Sequence, residues 1–149
     1  MSASNTFEAA LLNLLLNNVN IANLGDATGV RGSSAAGSSY VALHTADPGE
    51  AGDQTTNEAN YTGYARVGVV RTGAAWAISG TAPTQAANAG AVTFGACSAG
   101  SNTITHFSIG FAASGASTVI VSGPLTASLA VSAGITPSFS AGALVATCD

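Results

Sequence analysis

The chain has 149 residues, which predicts a single domain, and only 7% of them are charged. Seven acidic residues against three arginines and no lysine give a net charge of −4, which excludes a basic surface for nucleic acid and a polybasic membrane patch. The mean hydropathy is +0.39, yet no apolar run reaches the roughly 18 residues of a membrane-spanning helix.

The first predicted element is a short α-helix. Asn5 followed by Glu8 resembles a capping box, and the Asn17-Asn18 pair ends the pattern. Apolar residues at helical spacing form one face, which consists of Phe7, Leu11, Leu14 and Leu15. A helix of about a dozen residues is marginal alone. Its apolar face therefore packs either on its own domain or on a neighbouring subunit, and we take it as a candidate partner-binding face.

A Gly-, Ser- and Ala-rich stretch follows the helix between Gly25 and Ser39. This composition is typical of a linker or an extended arm. An arm suits a segment that docks on a partner, which makes Arg31 a candidate partner-binding residue. We therefore divide the chain into a helix and arm, residues 1–39, and a β-domain, residues 40–149.

From Tyr40 onward the hydrophobic period is two, which is typical of β-strands. Apolar runs are separated by glycines and lie at 41–43, 67–69, 76–78, 92–94, 107–111, 119–121, 125–131, 139 and 144–146. The run 119–121 is apolar throughout, which predicts a central strand. About eight short strands predict an all-β antiparallel sandwich, and a jelly roll fits the count best.

Most charges lie in one segment. The loop Ala46–Asn60 holds four acidic residues: Asp47, Glu50, Asp53 and Glu58. The loop is either a solvated segment or a calcium site, but its spacing does not match an EF-hand. Arg66 and Arg71 flank the strand at 67–69, and each is predicted to pair with a loop acid or with a carboxylate of a partner.

The remainder of the chain carries no formal charge. From Thr72 to Cys148, just over half of the chain, there is no Asp, Glu, Lys or Arg. An average domain is about a quarter charged. Uncharged surface leaves water at a much lower cost than charged surface. We interpret this half as a surface that other protein covers; the alternative is a small β-domain with an uncharged exterior.

Catalytic and metal-binding motifs are absent from the sequence. There is no GxSxG elbow, and His106 lies in an alternating strand as a sheet-surface residue. We predict no enzyme activity, metal or cofactor. The sequence shows no secretory signal, which predicts synthesis and assembly in a cytoplasm, and Cys97 and Cys148 are then expected to be free thiols rather than a disulfide.

Three segments carry a family resemblance: YVALHTADPGEAGDQTTNEANYTGYARVGVVR at 40–71, THFSIGFAASGAST at 105–118 and LTASLAVSAGITPSFSAGALVAT at 125–147. They resemble small structural proteins of tailed bacteriophages, in particular the capsid cement (decoration) proteins, as in a Bordetella-infecting podophage. The resemblance implies a jelly-roll protein on the outer surface of the icosahedral capsid. It also implies a homodimer that holds neighbouring major capsid proteins together without covalent bonds and stabilises the shell against DNA pressure.

An alternative follows from the same resemblance, because related sequences are also described as tail fibre proteins. In that case the chain is a fibre or receptor-binding module, and carbohydrate is its candidate ligand. A sugar site requires exposed aromatic side chains, for which the candidates are Tyr40, Tyr61, Tyr64 and Trp76. Against a fibre, the sequence has no heptad repeat for a trimeric stalk.

Overall fold

A computed structural model describes residues 5–21, 36–80 and 83–148, with side chains from residue 8 to residue 147 of those ranges. This part of the chain contains one helix and nine strands. The elements are α1 (Asn5–Asn17), β1 (Ser38–His44), β2 (Val67–Val70), β3 (Trp76–Ser79), β4 (Thr84–Asn88), β5 (Val92–Thr93), β6 (Asn102–Gly110), β7 (Val119–Val131), β8 (Ser138–Phe139) and β9 (Val145–Cys148). The predicted class, an antiparallel all-β sandwich with a short N-terminal helix, is confirmed.

The chain forms two compact units. The helical unit comprises the described residues of 1–38, 70–91 and 139–149, and the four-stranded unit comprises 39–69 and 92–138. The sequence-based division at residue 39 followed a change in composition. Each of the two units is assembled from separate stretches of chain, and the division at residue 39 stays a prediction.

In the helical unit, α1 packs against a three-stranded antiparallel sheet of order β3-β4-β9. The unit's core consists of Leu12, Leu16, Trp76, Ala86 and Leu144, each at most 4% exposed. Burial of one Leu side chain contributes about 1.5–3 kcal/mol, which is what makes a 13-residue helix stable here. The apolar stripe of α1 therefore packs, at least in part, on its own chain.

The carboxyl end of α1 is capped from elsewhere in the sequence. Asn18 adopts a left-handed conformation with φ of 57°, which ends the helix. The last turn has no basic residue of its own. The Arg71 guanidinium instead donates from Nε to the Leu15 carbonyl and from Nη2 to the Leu14 carbonyl, each at 2.5 Å. These bonds satisfy free carbonyls and place a positive charge at the negative end of the helix dipole.

The four-stranded unit contains a sheet of order β2-β1-β6-β7 and the two-stranded pair β5-β8. β1 and β6 are antiparallel, with Leu43 opposite Phe107, and β6 and β7 are antiparallel, with Ile109 opposite Val121. The β6–β7 register shifts between Ile104 and His106. Alternation along β1 and β6 supplies the buried apolar side chains that the sequence pattern predicts.

One strand was missed, and one strand prediction is wrong. β4, with the sequence TQAAN, has no apolar alternation beyond alanine and gave no sequence signal. The runs at 119–121 and 125–131 form the single strand β7, which lies at the edge of its sheet and not at the centre. Gly123 and Pro124 do not interrupt it, because Gly123 faces the Phe107 ring and Pro124 lies opposite His106 at the register shift.

Candidate functional site

Polar side chains gather inside the four-stranded unit, where β1 and β6 lie next to the acidic loop 46–60. We call this set the polar cluster; its members are His44, Gln54, Glu58, Tyr64, Arg66 and Ser108. His44, Gln54 and Ser108 are fully buried, and Arg66 is 8% exposed. The loop is therefore not simply a solvated segment, because part of it enters the interior.

Arg66 is at the centre of the polar cluster. Nε and Nη2 donate to the two carboxylate oxygens of Glu58, at 2.7 and 2.8 Å. Nη1 donates to Gln54 Oε1 and to the Ala112 carbonyl, and Nη2 also donates to the Gly115 carbonyl. All five N–H donors of a guanidinium are thus occupied. The hydrogen bonds to Glu58 raise the pKa of Arg66.

His44 is held in one neutral form. Its Nδ1 lies 2.8 Å from the Thr56 carbonyl, which can only accept, so Nδ1 carries the proton. Nε2 then accepts from Ser108 Oγ at 2.7 Å, and Gln54 Nε2 donates to the same Ser108 oxygen at 3.3 Å. Burial lowers the pKa of His44 below its ordinary value of 6.5, against an opposing contribution from the Thr56 carbonyl.

Tyr64 connects the charged pair to the sheet. Its hydroxyl donates to Glu58 Oε1 at 2.9 Å and accepts from the Leu43 N–H at 3.1 Å. Burial raises the pKa of Tyr64, so the phenol stays protonated. Its ring contacts Tyr61 edge-on and stacks on Phe94, with centroids 5.5 and 6.2 Å away.

These contacts remove most of the aromatic surface that a sugar site needs. Tyr61 is 3% exposed and Trp76 is fully buried. Tyr64 is half-buried within the contacts just described, and Tyr40 is half-buried on β1. Core packing therefore takes up most of the aromatic side chains that the sequence offered for carbohydrate binding.

The acidic loop is ordered by its own hydrogen bonds. Asp53 Oδ1 accepts from the Thr55 hydroxyl at 2.6 Å and from its N–H at 2.7 Å, and these bonds lower the pKa of Asp53. Gln54 N–H donates to the Ser117 carbonyl at 3.0 Å, which joins the loop to the segment before β7. Within residues 5–21, 36–80 and 83–148, no three His, Cys, Asp or Glu side chains are grouped to hold a metal ion.

The predicted partner-binding residues are not brought together. On α1, Leu11, Leu14 and Leu15 are half-buried, and the face at Leu12 and Leu16 is the more deeply buried one. The side chain of Phe7 and all of Arg31 lie outside the described residues. Arg66 and Arg71 donate to groups of their own chain. Their binding to a partner stays a prediction.

The sequence predicted that Arg66 pairs with a loop acid or with a partner's carboxylate, but it did not identify Glu58 as the acid or the other members of the polar cluster. Glu58 and Arg66 are eight residues apart in an irregular segment, where no helical or strand spacing predicts a contact. Two signals were available: opposite charges in one short segment, and a lone Arg before an apolar strand. Cys97 is a buried free thiol, as predicted, whereas the side chain of Cys148 lies outside the described residues. No helix in the described part of the chain is long and apolar enough to cross a membrane.

Besides the polar cluster, the exposed surface of β7 is a second candidate functional region. Val119–Val121 are all half-buried, residues 122–125 alternate between exposed and half-buried, and all five residues from Thr126 to Ala130 are exposed. The whole strand is uncharged. Exposed apolar side chains occur on it and beside it, with Leu129 at 36% and Phe111 at 46% exposed.

Comparison with known proteins gives one finding that concerns the whole chain. The family model described as podophage GP4 fiber I protein gp80 matches residues 2–147. The match includes the N-terminal helix and arm as well as both units. No curated protein matches the chain.

Proposed function

The chain belongs to the family of podophage GP4 fiber I protein gp80, and from this membership we propose that it is a structural, non-enzymatic subunit of a phage tail fibre. Membership identifies it as a structural protein of the phage virion. The fibre role goes one step further. The observation that supports it is the match over residues 2–147, because nearly every residue of the chain is accounted for by a family described as fibre protein.

The geometry of the polar cluster supports a structural role. His44 and Ser108 form a 2.7 Å pair that superficially resembles a base and a nucleophile. Both side chains are fully buried, and both are saturated by Thr56 and Gln54. A substrate has no access to either group. Hydrogen bonds of this kind hold loops in place.

A second candidate function is capsid cement. The observation that favours it is the uncharged exterior after Thr72, which a shell of major capsid proteins can cover with little desolvation cost. In this proposal the chain binds the outside of the capsid as a homodimer and bridges neighbouring subunits. Repeated weak contacts then combine into firm attachment.

Location and copy number distinguish the two proposals. Quantitative mass spectrometry of purified virions is expected to give a copy number that is a small multiple of the tail symmetry. Gold-labelled antibody is expected to decorate the tail of the same particles. A copy number close to that of the major capsid protein, with label over the shell, contradicts the fibre role and supports cement.

The N-terminal segment is proposed as the attachment region in both cases. Its candidate residues are Phe7, Leu11, Leu14, Leu15 and Arg31. Leu11 and Leu15 are half-buried, so they offer apolar surface to a partner without unfolding α1. Double substitution of these two by Ser is expected to lower incorporation into virions. Unchanged incorporation contradicts this assignment.

A further inference from the structure

The two histidines of the chain lie directly opposite each other in the four-stranded unit. His44 on β1 and His106 on β6 are partners in the antiparallel register of the sheet. Side chains at such positions share one face, with Cβ atoms about 5 Å apart. Like charges at directly opposite positions destabilise a sheet, so this pair tolerates two neutral imidazoles better than two imidazolium ions.

Three charged or titratable groups act on the buried imidazole of His44: Glu58, Arg66 and His106. Glu58 is the anion among them, and it forms a β-bridge with His44 at the end of β1. Its two oxygens already accept from Arg66, at 2.7 and 2.8 Å, and the Tyr64 hydroxyl donates a third hydrogen bond. A proton on His44 therefore adds a second cation to a site whose carboxylate is already paired.

β7 and the acidic loop complete the surroundings of the pair. β7, which pairs with β6, carries no charge and places Pro124 opposite His106. In the acidic loop, Asp53 accepts hydrogen bonds from Thr55, and these bonds lower the pKa of Asp53 below 3.8. Asp53 therefore keeps its charge just below neutral pH and is not the group that titrates there.

The hydrogen bonds of His44 also favour its neutral form. In that form Ser108 Oγ donates to His44 Nε2 at 2.7 Å and accepts from Gln54 Nε2 at 3.3 Å. When a proton from water binds Nε2, this acceptor becomes a donor, and two N–H groups then point at the Ser108 oxygen. The Ser108 hydroxyl thereby loses its acceptor in a fully buried position, which is costly.

Gln54 holds two loops on the sheet, namely the acidic loop and the loop 111–117. Its side chain donates to the Tyr40 carbonyl and accepts from Arg66, and its N–H donates to the Ser117 carbonyl. Arg66 donates to two further carbonyls of the loop 111–117. Movement of Gln54 therefore loosens both loops at once and does not require the sheet to unfold.

We propose that the His44–His106 pair is an acid-sensitive switch that releases the acidic loop and the loop 111–117 from the sheet below neutral pH. At neutral pH, Gln54 and Arg66 fix both loops. In mild acid, Gln54 leaves Ser108 and both loops open while the strands stay paired. Loops fixed on a rigid scaffold often carry binding sites, so the switch changes the surface that this end of the unit presents. This inference goes beyond the proposed function and does not depend on where the protein lies in the virion.

The experiment measures amide hydrogen exchange by NMR on the purified full-length chain at about pH 7.5 and about pH 5.5, as protection relative to the intrinsic rate at each pH. The reporters are the N–H groups of Gln54 and Ala59, which bond the loops to each other and to β1. Their protection is expected to fall about tenfold, because one pH unit of this interval lies below the ordinary His pKa of 6.5. The Val19 N–H, at the end of α1, is the internal reference and is expected to keep its protection.

Low concentrations of urea distinguish the opening of loops from unfolding of the whole chain. A loop that opens exposes little surface, so its exchange rate barely depends on urea, whereas exchange through global unfolding rises steeply. At the lower pH, the exchange rates of Gln54 and Ala59 are expected to be nearly independent of urea.

Two variants assign the effect to the histidines. His44→Gln keeps a donor and an acceptor but cannot be charged, and its reporters are expected to lose less than about twofold in protection. His106→Gln removes the opposing charge from a half-buried position and is expected to give an intermediate loss. It provides a second test, because a substitution at the buried His44 can prevent folding. Asp47→Asn, at an exposed position of the acidic loop, is the matched control and is expected to respond to pH like wild type.

Four results overturn the proposal. Equal protection of Gln54 and Ala59 at both pH values in wild type means that the loops are not released. An equal loss at Val19 means that acid loosens the chain generally. Reporter rates that rise with urea as steeply as global unfolding mean that the sheet opens together with the loops. A loss in His44→Gln and His106→Gln as large as in wild type assigns the effect to another group.

Discussion

The polar cluster and β7 belong to the same unit, but they differ in whether their polar groups have hydrogen-bond partners within the chain. In the polar cluster, every N–H of Arg66 has an acceptor within the chain. Along β7, by contrast, there is no charge, and one backbone edge is unpaired in the described part of the chain. The comparison shows that the buried charges of this unit bind groups of their own chain, whereas its exposed edge strand carries no charge.

The same use of charge recurs in the helical unit. Arg71 donates to two carbonyls at the end of α1 instead of facing water. In the polar cluster, the buried Arg66–Glu58 ion pair loses much of its Coulomb attraction to desolvation. A buried ion pair therefore specifies geometry more than it adds stability. Removing one partner is far more costly than removing both. The following experiments test this contrast, from the largest expected effect to the smallest.

The largest effect is expected from Arg66→Met. It leaves the Glu58 carboxylate without its counter-charge and three further acceptors without donors. We expect the free energy of unfolding to fall by about 3–5 kcal/mol, measured by urea denaturation. Arg71→Met loses two bonds at a helix end and is expected to cost only about 1–2 kcal/mol. Equal losses in the two variants contradict a special role for the polar cluster.

A smaller effect is expected from Gly110→Ala. A Cβ atom at this position lies 2.3 Å from the Gln54 side chain and 2.7 Å from the Thr118 carbonyl. We expect a loss of about 1–3 kcal/mol in the free energy of unfolding, because Gln54 must leave the polar cluster or the backbone must shift. Gly123→Ala is the control, since its Cβ meets Phe107 at an ordinary 3.5 Å. A stability of Gly110→Ala equal to that of the control refutes the tight fit of Gln54.

The smallest effect is expected from a change of pH just below neutral. The folded-state pKa of His44 is below the ordinary 6.5, so the unfolded chain binds this proton more readily. Its contribution is complete above pH 6.5 and is lost as the pH falls through the folded-state pKa. We expect the urea midpoint to drop between neutral pH and about pH 5, and to drop less in His44→Gln. Asp53, whose pKa is lowered from 3.8, loses its contribution only at lower pH.

The sequence predicted the elements better than their arrangement. Alternation in β1 and β6 and helical spacing in α1 are local patterns, and both correspond to real elements. The position of β7 at a sheet edge depends on which strands pair over long distances, and an apolar run gives no information about that order. β4 was missed because alanine and small polar residues occur in buried strands as well as in loops.

The polar cluster, too, was only partly predictable from the sequence. Arg66 was predicted to pair with a loop acid or with a partner's carboxylate, and the structure pairs it with Glu58. The Gln54, Ala112 and Gly115 acceptors were not predictable, because two of them are backbone carbonyls and carry no sequence signature. The absence of charge on β7 was predictable from composition alone, but the exposure of this strand at a sheet edge required the fold.

One measurement tests the central claim most directly: a cryo-electron map of the intact virion in which the chain is traced. The account predicts that the chain lies in a tail fibre, that Arg66 remains bound to Glu58 inside its own subunit, and that another protein chain covers residues 126–130. A map in which residues 126–130 face solvent, while Arg66 contacts a neighbouring protein, contradicts it.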